Sequence, residues 1–309
     1  MTIRHRIERA AVRGTIGALS LSSDAFRLNL ARAAARLYFR LGTRRRTIAI
    51  ENLRRAFPEL APPEAIAIAR RCAENFGSVF FDFLAASRLS REELSAAVEI
   101  EGKDHYLGAV ARGRGVFLLS AHFGNWEIGA LAAGLLASPI ASVVRPLDNP
   151  LLDLDLSRLR GKFGNRTIGK KHAAREILRE MRAGRTVAIL IDQNVLAREA
   201  VFVPFFGRAA ATSSALALLQ KKTDAAVVPV FCRPRPASER TGAAGTEPLY
   251  TLRFEPPIVL GDLSPEERTV EALTARYTRV TEEAVRREPS LWLWMHNRWR
   301  TRPPEEARP

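Results

Sequence analysis

The chain has 309 residues, 47% of them apolar, with two cysteines and a formal net charge of +15. That length and composition fit one large α/β domain, or a main domain with a helical annex, and exclude disorder throughout. Cys72 and Cys232 stand far apart without metal-ligand spacing, so they read as two small buried hydrophobes in a reducing compartment rather than a disulfide framework or a zinc site. The charge is uneven. Residues 1–60 hold 13 Arg against 4 acidic residues, a net of +9, which points that segment at an anionic partner: nucleic acid, anionic lipid or an acidic protein.

In chain order, Met1–Ser23 lacks a compact apolar run ending in a cleavage site, so no secretory signal is expected. Residues 24–41 are predicted helical, with Phe26, Leu30, Ala34, Leu37 and Leu41 on one face. Arg32, Arg36 and Arg40 form a basic stripe away from that face, and Arg44, Arg45 and Arg46 follow. Such a helix suits an anionic membrane surface, and equally suits packing on its own domain. Residues 64–86 continue helical, and Ser90-Arg-Glu-Glu93 is a capping box opening another helix.

From residue 115 short apolar runs alternate with helical stretches. The runs are Val116–Ser120, Ile140–Val144, Thr186–Ile191, Ala226–Phe231 and Tyr250–Phe254; the helical stretches include 127–137, 172–183 and 212–222. This alternation predicts an α/β sheet with helices on its faces. The longest uncharged run, Ile128–Val144, has 17 residues, but Ser138 and Pro139 divide it into a buried helix and a buried strand rather than a membrane span. Ser264-Pro-Glu-Glu267 is a second capping box, with Val270, Leu273, Tyr277, Val280 and Ala284 as its helix's inner face, and Pro234–Pro248 reads as a loop. The organisation expected is a basic helical, membrane-associating segment over 1–100 and an α/β core with C-terminal helices over 101–309, integrated into one domain.

The strongest chemical signal is Ser120-Ala-His122-Phe-Gly124-Asn125-Trp-Glu127, which follows a buried strand and opens a helix. A histidine titrates nearest neutrality, so His122 can take a proton from a hydroxyl that attacks an acyl carbonyl. A carboxylate on its other nitrogen would fix the tautomer, and Glu127 in the first helical turn is the expected partner. Alone, a His-x4-Glu spacing is more often a loop histidine and a helix-start acid; the strand-turn-helix setting favours chemistry. Arg145 and Asp192-Gln193 also follow predicted strands, on the edge where open α/β sheets bind ligands. Arg145 could hold an oxyanion or a phosphate, whereas Asp192 either orients a polar group or caps a turn. No Gly-x-Ser-x-Gly elbow or His-Glu-x-x-His pair occurs. Gly164–Lys171 approaches a phosphate loop, but Lys171 stands where Ser or Thr would hold magnesium and no buried strand precedes it, which excludes a nucleotide site.

Five ordered motifs carry a resemblance: His122–Glu127, Val144–Pro150, Asp192-Gln193, Phe202–Thr212 and Trp294–Pro303. Together they resemble the bacterial lipid A lauroyl/myristoyl acyltransferases over about residues 48–303. The resemblance implies a glycerolphosphate-acyltransferase-like mixed sheet flanked by helices, an acyl-carrier-protein thioester donor, and a lipid A precursor as acceptor at the cytoplasmic face of the inner membrane. It places His122 and Glu127 on the family's catalytic pair and Arg145 on its arginine. Asn125, Asp192, Gln193 and Arg208, inside the same motifs, become substrate-site candidates. No metal or other cofactor is implied, because direct transfer from a thioester needs none. Two departures are a shorter apolar amino end and Asn194 where a second Asp is common. Phosphatidylinositol mannoside acyltransferases are the nearest alternative. The rivals from other classes are a noncatalytic basic lipid-binding or nucleic-acid-binding protein, and no nucleic-acid signature appears. Trp292, Trp294 and Trp299 beside Arg298, Arg300 and Arg302 read either as an interfacial anchor or as a packed closing helix.

Overall fold

The computed structural model describes residues 2–20, 24–86, 88–136, 138–169, 173–239 and 247–303. Five helices come first: α1 (Ile3–Ser20), α2 (Asp24–Leu41), α3 (Thr43–Ala56), α4 (Pro62–Ala86) and α5 (Arg91–Ala97). The sheet region runs β1 (Val98–Glu101), α6 (Lys103–Ala111), β2 (Val116–Ser120), α7 (Trp126–Leu136), β3 (Ile140–Val144), α8 (Pro150–Arg160), β4 (Arg166–Gly169), α9 (Ala173–Arg182) and β5 (Thr186–Leu190). It continues with β6 (Ala200–Phe205), β7 (Arg208–Ser213), α10 (Ala215–Thr223), β8 (Ala226–Pro234), β9 (Tyr250–Phe254) and α11 (Val270–Arg287).

Seven strands form a mixed sheet in the order β1-β9-β8-β2-β5-β3-β4. The block from β8 to β4 is parallel, and β9 with β1 runs the other way. The α/β fold read from the alternating runs is therefore the fold observed. The central strands read as unbroken apolar runs because both their faces are covered. Along β2, Val116 and Leu118 enter one core layer beneath α6 and α7, while Phe117 and Leu119 enter the other with α9, α10 and α11.

A third core layer joins α3 and α4 to the β6–β7 hairpin and to residues 291–299. Here the structure corrects a sequence expectation. Trp292, Trp294 and Trp299 are buried at 0%, 0% and 2% exposure, so they form no interfacial anchor. Nor do they lie on a helix: only a short 3-10 turn, Pro289–Leu291, precedes them. Trp292 packs edge to face with Trp294 and Phe205, and Trp294 with Phe57, while Trp294 meets Phe206 and Trp299 meets Phe205 at tilted angles.

Three other expectations change. The second capping box forms, with Glu267 N donating to Ser264 Oγ, but it opens only the 3-10 turn Glu266–Arg268. The long helix starts afresh at Val270, capped by Thr269. Residues 208–213, partly expected helical, are β7; its two-residue turn, Phe206-Gly207, has positive φ at both residues, as tight hairpins of this kind require. On α2 the apolar face points outward: Phe26, Leu30, Leu37 and Leu41 are exposed, and Ala31, Ala35 and Phe39 are buried. Small side chains let α2 approach α4 closely, since a Cβ on Gly77 would lie 2.7 Å from the Ala35 Cβ. Both cysteines are free and buried. Lys170, Lys171, residues 240–246 of the expected loop, and part of the Met1–Ser23 segment lie outside the described residues.

Candidate active site

His122, Arg145 and Asp192 follow β2, β3 and β5, which are adjacent strands in the parallel block. The chain leaving β2 is pinned at His122, Gly124 and Asn125. His122 N donates to Asp192 Oδ2 at 3.0 Å, and His122 O accepts from Leu293 N at 3.2 Å. Gly124 N donates to Leu291 O and Asn125 N to Cys232 O. Gly124 has φ +55°, and a Cβ there would sit 1.9 Å from Cys232 O, so only glycine fits between the turn and β8. Asn125 is buried and caps α7 by accepting from Ile128 N at 3.1 Å, which makes it part of the turn's frame.

The ring of His122 has both nitrogens engaged. Nδ1 lies 2.9 Å from Asp192 Oδ1, and Nε2 lies 3.2 Å from Gln193 Nε2. Asp192 is buried and its Oδ2 also accepts from the Trp292 indole N–H at 2.9 Å. Burial alone would push this carboxyl up; the charge of His122 and the bonds from His122 and Trp292 hold it at about 2. Burial likewise opposes a charged imidazole, but the charge and hydrogen bond of Asp192, with the charge of Glu127 behind them, raise His122 above its ordinary value.

Glu127 makes no hydrogen bond to the ring. Its carboxylate takes a two-pronged pair from Arg160 at the end of α8, with Arg160 Nε donating to Oε2 at 2.9 Å and Nη2 donating to Oε1. Sequence spacing suggested Glu127 for the Nδ1 position; sheet order instead brings the strand-end carboxylate of β5 beside β2. Arg160, Trp292, His296 and Asn194 were not singled out from the sequence as site residues. His296 Nε2 accepts from Asn194 N at 2.9 Å, and burial drops this histidine to about 4. Asn194 also exchanges hydrogen bonds with Thr301, tying the loop after β5 to the chain beyond α11. The motif containing Trp294-Met-His296 was the available signal.

A cleft of about 1080 Å³ opens along this edge, with His122, Glu127, Arg145, Arg160 and Gln193 on its polar side. Leu118, Ala133, Ile140, Ala188 and Val230 are among its apolar lining. Arg145 stands at the exposed rim, 3.6 Å from Asp148. Arg208 is not among the lining residues: it begins β7, whose other end, Ser213, reaches the cleft, roughly 16 Å away at strand spacing. Among the described residues no group of three or more His, Cys, Asp or Glu side chains is placed to hold a metal ion. No described helix is long and apolar enough to cross a membrane.

The α/β sheet thus holds a carboxylate-bonded histidine at its strand ends, over a cleft with an apolar interior. Residues 10–301 match the family model of the bacterial lipid A biosynthesis acyltransferases, and the chain belongs to that family. Over 272 residues it is 28% identical to a lipid A biosynthesis acyltransferase of Haemophilus influenzae, covering 87% of this chain and 82% of that one. It is 28% identical over 271 residues to the lipid A biosynthesis lauroyltransferase of Escherichia coli K12, covering 87% and 83%. With the myristoyltransferase of that organism it shares 24% over 291 residues, covering 94% and 86%. Among solved structures, a 1-acyl-sn-glycerophosphate acyltransferase from Thermotoga maritima aligns with TM-score 0.39 and 16% identity, covering 84% of this chain and 97% of that one.

Proposed function

We propose that this enzyme transfers a fatty acyl chain from an acyl-carrier-protein thioester to a hydroxyl of a lipid A precursor, with His122 as general base. The observation that carries the reading is the Nδ1 contact of His122 with buried Asp192, which leaves Nε2 facing the cleft. In this reading the acceptor hydroxyl gives its proton to Nε2 as its oxygen attacks the thioester carbonyl. Asp192 fixes the tautomer and supports the imidazolium, and Nε2 then returns the proton to the departing thiolate. Glu127, paired with Arg160, adds a second negative charge near the ring and ties α7 to α8. Arg145 at the rim is suited to an acceptor phosphate, as a two-pronged donor in solvent.

The acceptor class is supported by family membership and by the names of the relatives, lipid A acyltransferases throughout those compared. The working location is the cytoplasmic face of the inner membrane, held through anionic lipid. Supporting it are the +9 charge of residues 1–60 and the exposed side chains of Ile3, Ile7, Phe26, Leu30, Leu37 and Leu41 on α1 and α2. The test is acyl transfer from acyl-carrier protein to a lipid A precursor, with products identified by mass spectrometry. His122→Ala, folded normally, is expected to lose at least about 10²–10⁴-fold in turnover. Near-normal turnover by that variant would remove His122 from the reaction.

A further inference from the structure

Asp192 is ionised and can only accept, so in the neutral ring, the form that acts as a base, Nδ1 of His122 carries the proton and Nε2 presents a lone pair. The group 3.2 Å from that lone pair is the side-chain amide nitrogen of Gln193. An unprotonated ring nitrogen bonds only to a donor, so an amide N–H points at Nε2. The backbone around Gln193 is fixed, through buried Asp192 before it and the Asn194 bonds to His296 and Thr301 after it. The Gln193 side chain itself is exposed at the cleft.

This amide occupies the position that an acceptor hydroxyl must take. Once displaced, its N–H needs another acceptor, and the reaction supplies one. The attacking oxygen and the thioester carbonyl oxygen end on the same tetrahedral carbon, so a donor beside Nε2 is a side-chain rotation away from the developing oxyanion. The three arginines lining the cleft are placed otherwise: Arg160 is committed to Glu127, Arg166 to Glu180, and Arg145 is at the rim with Asp148.

We propose that Gln193 is a two-position catalytic amide, capping His122 Nε2 in the free enzyme and donating to the thioester carbonyl oxygen during transfer. The role rests on His122 being the base. As the new C–O bond forms, the hydroxyl proton passes to Nε2 and the carbonyl π pair moves onto oxygen, where the Gln193 N–H receives it. Collapse re-forms the carbonyl and breaks the C–S bond, and the thiolate takes the proton from Nε2.

The experiment compares His122→Ala, Gln193→Ala and Gln193→Glu in the full chain, using acyl-carrier-protein thioester and lipid A precursor. Gln193→Ala is expected to lower kcat by about 10²–10³-fold, with the KM for acceptor and the Tm little changed. Gln193→Glu should lose as much, because a carboxylate offers the oxyanion no donor. In the free enzyme, histidine NMR should find the His122 pKa higher in Gln193→Ala, since the neutral ring loses its bonded donor. Wild-type or higher kcat in Gln193→Ala, with His122→Ala inactive, overturns the proposal and leaves the base assignment standing. A Gln193→Ala loss confined to KM also overturns it, in favour of a binding role. Turnover by His122→Ala removes the base and this role together.

Discussion

Glu127 and Arg160 face each other across the starting turn of α7 and the last turn of α8, joined by two parallel hydrogen bonds. Both side chains are mostly buried, at 13% and 21% exposure. Removing either partner therefore leaves a poorly solvated charge. Arg160→Ala is expected to destabilise by about 1–3 kcal/mol, read as a lowered Tm. Glu127→Gln keeps the ring's hydrogen bond to Asp192 and should retain more turnover than Asp192→Asn. Equal losses in those two variants would mean that Glu127 is as close to the reaction as Asp192.

Asp192→Asn removes the charge that raises His122, so two effects separate. Turnover falls, by roughly 10²–10⁴-fold, because the tautomer and the imidazolium lose their support. The acidic limb of kcat/KM moves to lower pH. In the wild type that limb, where the base must be unprotonated, should lie above the ordinary histidine value of about 6.5. The stability signs follow from the same shifts. Raised His122 stabilises the fold fully below its unfolded value, and that contribution disappears as pH rises through the folded one. Lowered Asp192 stabilises above the usual carboxylate range, and its contribution disappears as pH falls towards about 2. Chemical unfolding across pH and a kcat/KM profile measure both.

Arg145 offers a clean division between fold and function. Its side chain is 82% exposed and its partner Asp148 is 98% exposed, so the pair contributes little to stability. Arg145→Lys should leave Tm unchanged. If the planar fork holds an acceptor phosphate, the KM for acceptor rises more than kcat falls. Unchanged kinetics would take Arg145 out of the acceptor site.

The proposed membrane attachment through α1 and α2 would combine charge and apolar contact. Vesicles of anionic lipid should bind the protein, and added salt should release much of it, because exposed charges are screened beyond about 8–10 Å at ordinary salt. Leu37→Ser with Leu41→Ser should weaken vesicle binding without lowering Tm, since both side chains are exposed. Equal binding to neutral and anionic vesicles would contradict the electrostatic part.

The sheet was legible because its parallel strands carry continuous apolar runs, and Val116–Ser120, Ile140–Val144 and Tyr250–Phe254 have the same bounds in both readings. The helix over 24–41 was legible, but not its buried face. A hydrophobic pattern selects large side chains, whereas α2 packs through Ala31 and Ala35 against Gly77. Strand β7 was hidden by its alanines, residues that favour helix in isolation. At the site, His122 and Asp192 were visible as strand-end residues. Their pairing was not, because it depends on β5 lying beside β2, which local spacing does not contain. Trp292 was further out of reach, its hydrogen bond to Asp192 spanning 100 positions.

That long span sets the order in which activity can appear during synthesis. A nascent chain that has emerged only as far as Asp192 already has β2, His122 and the β5 carboxylate. It lacks the indole that holds Asp192, the Leu293 N–H that holds His122 O, and the His296 ring that fixes the loop behind Gln193. Chains fold from the amino end as they are made, so the basic helices emerge well before the His122 ring is locked. With the proposed membrane attachment, the enzyme would arrive at the surface first and become competent there, with little opportunity to discharge the proposed thioester donor in solution.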